Sequence, residues 1–278
     1  MFNVFPTENA RQKFSEKLQG TFPFLKREVI GTTAKNRPID CYTLGNPRSR
    51  IIMVGGVHGS EYLTINLLLQ FLYDLCLSYS LSTCVAGMKM KRFLHRRGVS
   101  IVPVLNPDGT EISLRKSIKW QANACGVDIN HNFPAKWEVI HKRERAMGIT
   151  APCSTRYGGK TPANQRETIA IMNYCIKNNF QRCYAFHSQG RELYYSFGEH
   201  TPKESHTMAR LLSKTSGYTI SAPTEIADGA GLKDWFIEKF QKPAFTFEIG
   251  KGENPLPLTD FKREYGILQK TLCMCLII

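Results

Sequence analysis

No Cys-X-X-Cys pair occurs among the nine cysteines of this 278-residue chain, and the closest two are Cys273 and Cys275. That spacing excludes the usual cysteine-rich structural zinc sites and the dithiol redox motif. The odd count, together with an N-terminus ("MFNVFPTENARQKF") that is amphipathic and charged rather than a secretion signal, implies reduced thiols and a cytoplasmic location. Also missing are a His-Glu-X-X-His run, an internal repeat, a low-complexity tract and an evident linker. Acidic residues are scarce, 23 against 37 lysines and arginines, for a formal charge of +14. Such a surplus attracts anions. The basic residues are scattered, however, in short clusters such as "KMKRFLHRR" and "HKRER", with no interleaved aromatics of the RNA-binding kind. Nucleic acid is therefore not the expected partner, while anionic polymers and small polycarboxylates stay open.

One long apolar run is present, from Tyr62 to Leu81. Asn66, Gln70 and Asp74 recur on one helical face of it, which argues for a buried helix rather than a membrane span. "RIIMVGG", "VSIVPVLNPDG", "RCYAFHS" and "PAFTFEIG" read as buried strands, the second stopped by an Asn-Pro-Asp-Gly turn. Helical patterns separate them at Tyr62–Leu81, Gln165–Asn178, His206–Ser216 and Gly231–Phe240. The alternation predicts one α/β domain over residues 1–278, with a central, mixed but mostly parallel sheet flanked by helices.

In such sheets ligands bind beyond the carboxyl ends of the strands. His58 and Glu61 follow the first strand, His187 ends the third and Glu248 lies near the end of the fourth. A helix cap would account for His58 and Glu61, but not for the other two. Two imidazoles and a carboxylate suit a catalytic metal with one open position, and a further carboxylate suits proton transfer.

Five segments in order, "HGSE" (His58, Glu61), "LNPDG" (Asn106–Gly109), "GVDINHNFP" (Gly126–Pro134), "YAFHSQG" (His187) and "FTFEIG" (Glu248), resemble the zinc carboxypeptidases of the carboxypeptidase A superfamily over nearly the whole chain. The resemblance implies one zinc ion held by His58, Glu61 and His187, a ligand set that is the family's own. It further implies Glu248 as general base, and Arg115 of "LRKSIKW" as the cation stabilising the tetrahedral oxyanion. Asp128 would be the carboxylate that fixes a zinc histidine.

The pattern breaks at Asn130-His131, where the family's Asn-Arg pair grips a terminal carboxylate; imidazole cannot make that two-pronged contact. The family's substrate-side tyrosine also has no counterpart, Ile226 of "TEIADGAG" standing near its place. "GLKDWFIEKFQKPAFTFEIGKGENPLPLTDF" and, within an entry segment of about residues 1–47, "FPFLKREVIGTTAKNRPIDCYTLGN" instead resemble bacterial γ-D-glutamyl–diamino acid peptidases. These cut between D-glutamate and meso-diaminopimelate in cell-wall stem peptides. The expected substrate is then a muropeptide fragment, with Arg191 and Lys233 as the candidate partners of its carboxylates and Asn130 and His131 as further substrate-binding residues. A general metallocarboxypeptidase and a zinc amidohydrolase of acylated amino acids are the alternatives.

Overall fold

In the computed structural model, residues 4–278 are described. The order along the chain begins with α1 (Glu8–Thr21), the hairpin β1 (Lys26–Thr32) and β2 (Pro38–Leu44), β3 (Arg50–Val54), α2 (Tyr62–Leu81) and α3 (Met90–Arg96). Then come β4 (Gly98–Val102), α4 (Pro107–Lys116), α5 (Trp137–Ala146), α6 (Arg166–Asn178), β5 (Cys183–His187) and β6 (Glu192–Tyr194). The last elements are α7 (Glu204–Ser216), β7 (Thr219–Ile220), α8 (Leu232–Phe240), β8 (Ala244–Glu248) and α9 (Phe261–Ile277).

One eight-stranded sheet has the order β1-β2-β4-β3-β5-β8-β6-β7. Its centre, β4-β3-β5-β8, is parallel throughout, while the hairpin on one side and β6 on the other join it antiparallel. The predicted fold class is the one observed. Alternate residues of the central strands feed two apolar cores: Ile51, Met53, Phe245 and Phe247 face one, Ile52, Val54, Ala185 and Ala244 the other. Helices α2, α3, α7 and α9 cover the first face, and α6 and α8 the second.

Helix α2 is buried on nearly every side, Leu67, Leu68, Phe71, Leu72 and Leu75 being fully enclosed. An all-apolar helix of this kind is a core element, and trimming Phe71 to alanine would cost about 3–5 kcal/mol. No described helix is long and apolar enough to cross a membrane. The N-terminal segment is fastened to α4 by charge: Arg37 pairs with Asp108 at 2.7 Å and with Glu8 at 2.8 Å, and the Glu8 amide donates to Glu111.

One expected turn is instead a helix start. Asn106 caps α4, its side-chain oxygen accepting from the Gly109 amide at 2.9 Å, with Pro107 in the first turn. Proline there sacrifices no intrahelical hydrogen bond, so "NPDG" initiates α4 rather than merely ending a strand.

Candidate metal centre

Strands β3, β5 and β8 lie side by side and parallel, so their carboxyl ends open onto one edge of the sheet. His187 and Glu248 are the last residues of β5 and β8 and are paired in register. His58 arrives from β3 through a glycine turn. Gly56 sits at φ +53°, in the left-handed region that a side chain disfavours. At Gly59 a Cβ would lie 2.3 Å from the Gly109 carbonyl, so this loop and the start of α4 approach as bare backbone.

Glu61 occupies the N-cap position of α2, yet its side chain caps nothing. The carboxylate turns to the histidines instead. Its Oε1 lies 2.9 Å from His58 Nδ1, its Oε2 lies 3.2 Å from His187 Nδ1, and the two Nδ1 atoms are 3.2 Å apart. All three side chains are buried, and Glu61 Oε2 has no hydrogen-bond donor. A tetrahedral zinc with bonds of about 2.05 Å spaces its ligand atoms about 3.3 Å apart. The two histidine nitrogens are spaced at that edge length, each has a Glu61 oxygen close by, and one ligand atom from each residue lies within 4.8 Å of the others, so the donor set suits the ion. Three ligands leave a fourth position for substrate or water.

Asp128 stands behind this cluster. It precedes a 3-10 turn (Ile129–His131), and its Oδ1 accepts from His58 Nε2 at 3.0 Å and from the Asn130 amide at 3.1 Å. Its Oδ2 accepts from the Arg156 amide at 2.9 Å. His58 thereby keeps Nδ1 turned toward Glu61. Burial opposes charge on His58, but Glu61 and Asp128 outweigh it and raise its pKa well above the ordinary value. Burial likewise opposes charge on Glu61, and the two histidines prevail, holding its carboxyl near about 2. Asp128 is held well below the carboxylate range by His58 and His131, against its own burial. Glu248 behaves oppositely: burial, then the charges of Glu61 and Glu192, push its carboxyl well above the usual range against the pull of His58.

A profile of the zinc carboxypeptidases matches residues 12–267. The chain belongs to that family. It is 35% identical over 271 residues to gamma-D-glutamyl-L-diamino acid endopeptidase 1 of Lysinibacillus sphaericus, which covers 90% of this chain and 67% of the relative. It is 30% identical over 291 residues to the uncharacterized protein YqgT of Bacillus subtilis (strain 168), covering 95% of this chain and 76% of that one. Bovine thrombin-activatable fibrinolysis inhibitor, solved with tick carboxypeptidase inhibitor, shares the fold at a TM-score of 0.82 and 19% identity, covering 99% and 97% of the two chains. The protein is a metallopeptidase of this family, with a His-Glu-His cluster able to hold a metal ion.

None of the remaining expected site residues is joined to His58, Glu61, His187 or Glu248 by a described hydrogen bond or ion pair. Arg115 lies in the last turn of α4 with its side chain 72% exposed and faces Glu111 at 3.6 Å. Together with Phe5, Tyr62, Leu114 and Pro255 it lines a cavity of about 780 Å³ beside the cluster, and no described hydrogen bond or ion pair ties it to the four site residues. His131 is buried, its Nδ1 2.8 Å from Glu144 of α5; the same fully buried carboxylate meets His141 and the Gly158 amide. Asn130 accepts from the Leu232 amide and ties its turn to α8. Arg191 is paired with Glu264 at 2.7 Å. Lys233 is buried, donating to the Ser196 carbonyl at 2.6 Å and paired with Asp234.

Two neighbours of the centre escape the sequence reading. Asn254 donates to the Ser188 carbonyl at 2.6 Å and approaches Glu61 Oε1 at 3.5 Å. Glu192 lies opposite Glu248 across the β6–β8 pair. The only signal for Glu192 is the polar-apolar alternation of "ELY", over a strand just three residues long.

Proposed function

We propose that this protein is a zinc peptidase that hydrolyses the bond between γ-D-glutamyl and the diamino acid of cell-wall stem peptides. His58, Glu61 and His187 would hold the zinc, with Asp128 orienting His58. Bound there, zinc supplies a Lewis acid that polarises the scissile carbonyl and lowers the pKa of water. Glu248 accepts a proton from the attacking water and delivers it to the leaving amine; a raised pKa suits both halves of that role. Arg115, in the last turn of α4 and lining the neighbouring cavity, is the cation proposed to stabilise the tetrahedral oxyanion.

The observation that carries the substrate reading is the fate of His131. It stands where the family's arginine would grip a terminal α-carboxylate, and its ring is buried against Glu144. No grip of that kind is left for an ordinary C-terminal residue. The relative from Lysinibacillus sphaericus, a gamma-D-glutamyl-L-diamino acid endopeptidase by name, supports the same reading. The test is chromatography of L-Ala-γ-D-Glu-meso-diaminopimelate after incubation with chelated and with zinc-restored protein. Release of diaminopimelate only by the zinc-restored form is expected. No release by either form overturns the proposal.

A further inference from the structure

Three side chains form a row across the sheet. His187 on β5 pairs in register with Glu248 on β8, and Glu248 pairs in register with Glu192 on β6. Residues paired directly across neighbouring strands project to the same face. The row therefore runs from a metal-cluster histidine, through the proton-transfer carboxylate, to Glu192 one strand further out. Tyr194, two residues along, shares that face opposite Thr246.

The partners of Glu192 are unusual for a protein with a charge of +14. Its Oε2 accepts from the Tyr194 hydroxyl and its Oε1 from the Ser221 hydroxyl at 3.3 Å. Hydroxyl donors orient a carboxylate without neutralising it. Among the described residues no lysine, arginine or histidine forms an ion pair with Glu192, although Arg191 and Lys233, nearby in sequence or fold, are matched to Glu264 and Asp234. The cations once expected to read substrate carboxylates are thus neutralised by the protein itself. What remains beside Glu248 is an oriented, half-buried anion.

From this row we infer that Glu192 is a specificity-determining residue, which receives the distal ammonium of the diamino acid on the leaving side of the scissile bond. The inference rests on the peptidase reading above. A leaving amine next to Glu248 places its own side chain within reach of the next strand, on the order of 5 Å away. A four-carbon side chain ending in an ammonium spans that distance. Its charge supplies the counter-ion that Glu192 lacks, and the two hydroxyls hold the carboxylate ready.

The experiment compares kcat/KM for paired substrates that differ only in the distal group: L-Ala-γ-D-Glu-L-Lys against its L-norleucine analogue, with zinc-loaded wild type and Glu192→Gln. Wild type should favour the ammonium-bearing peptide by about 10- to 100-fold, the range of one charge-assisted contact. In Glu192→Gln that ratio should collapse to within about threefold of unity, mostly through KM. A ratio left unchanged by the substitution overturns the inference, even if both rates fall together, because that marks support of Glu248 rather than recognition. The same pair in α-linkage separates this failure from that of the γ-glutamyl reading. Glu192-dependent preference for lysine on α-linked peptides alone would keep the ammonium site and reject the linkage.

Discussion

Asparagine at position 128 should weaken the metal centre without touching a metal ligand. Asp128 receives three donors, His58 Nε2 and the Asn130 amide on one oxygen and the Arg156 amide on the other. An asparagine side chain has one oxygen and one NH₂. If its oxygen stays with His58, the NH₂ meets the Arg156 N–H donor to donor; if it flips, the NH₂ meets both His58 and Asn130. The better orientation loses a buried hydrogen bond and leaves an unsatisfied donor, about 1–3 kcal/mol. Loss of such an outer partner typically lowers metal affinity about 10- to 100-fold. The assay is zinc competition against a chromophoric chelator for wild type and Asp128→Asn, with circular dichroism confirming the fold of both. A variant within about twofold of wild type in zinc affinity would refute the view that Asp128 holds His58 in its ligating pose.

Glu248→Gln should keep fold and zinc content and lose about 10² to 10⁴ in turnover; near-normal turnover assigns the proton to another group. His131→Ala should lower stability by about 1–3 kcal/mol through the buried Glu144 Oε1 left without its partner, read as a fall in melting temperature, whereas a selective rise in KM would return His131 to substrate binding. In metal-free protein Glu61 is held down to about 2, so its share of stability is full above its ordinary 4.5 and is lost as pH falls toward 2. His58 is raised, so its share is full below 6.5 and is lost as pH rises through the folded value. Urea titrations across pH should therefore show an acid limb that Glu61→Gln flattens; an unchanged limb counts against the pairing. Thiol titration of native protein should reach Cys84, Cys125 and, more slowly, Cys153, with the six buried cysteines released only on unfolding. Rapid native labelling of all nine would contradict the packing.

The parts of this molecule that were legible from sequence are those where one residue type serves one long element. Tyr62–Leu81 reads as a helix because burial on every side leaves an unbroken apolar run. The four central strands read as short apolar blocks because helices cover both faces. Strand β6 has three residues and β7 two, too few for a period to show. Helix α4 begins with Pro-Asp-Gly, residues that signal a turn unless the capping Asn106 is weighed. The same division runs through the site. His58, Glu61, His187 and Glu248 sit at the ends of legible strands, so strand ends alone bring them to one edge. Arg191 and Lys233 stand out in the sequence only as cations, and charge does not reveal a partner: Glu264 and Asp234 claim them. Glu192 was missed because its importance lies in register, which only the folded sheet displays.

The proposed reaction is a zinc-dependent cut at a γ-glutamyl bond to a diamino acid. Its most direct test is kcat/KM of the zinc-loaded protein on L-Ala-γ-D-Glu-meso-diaminopimelate beside the α-linked L-Ala-L-Glu isomer of the same peptide. The proposed function predicts at least about tenfold preference for the γ-linked peptide. Equal or faster cleavage of the α-linked isomer would contradict it and make the protein a general carboxypeptidase.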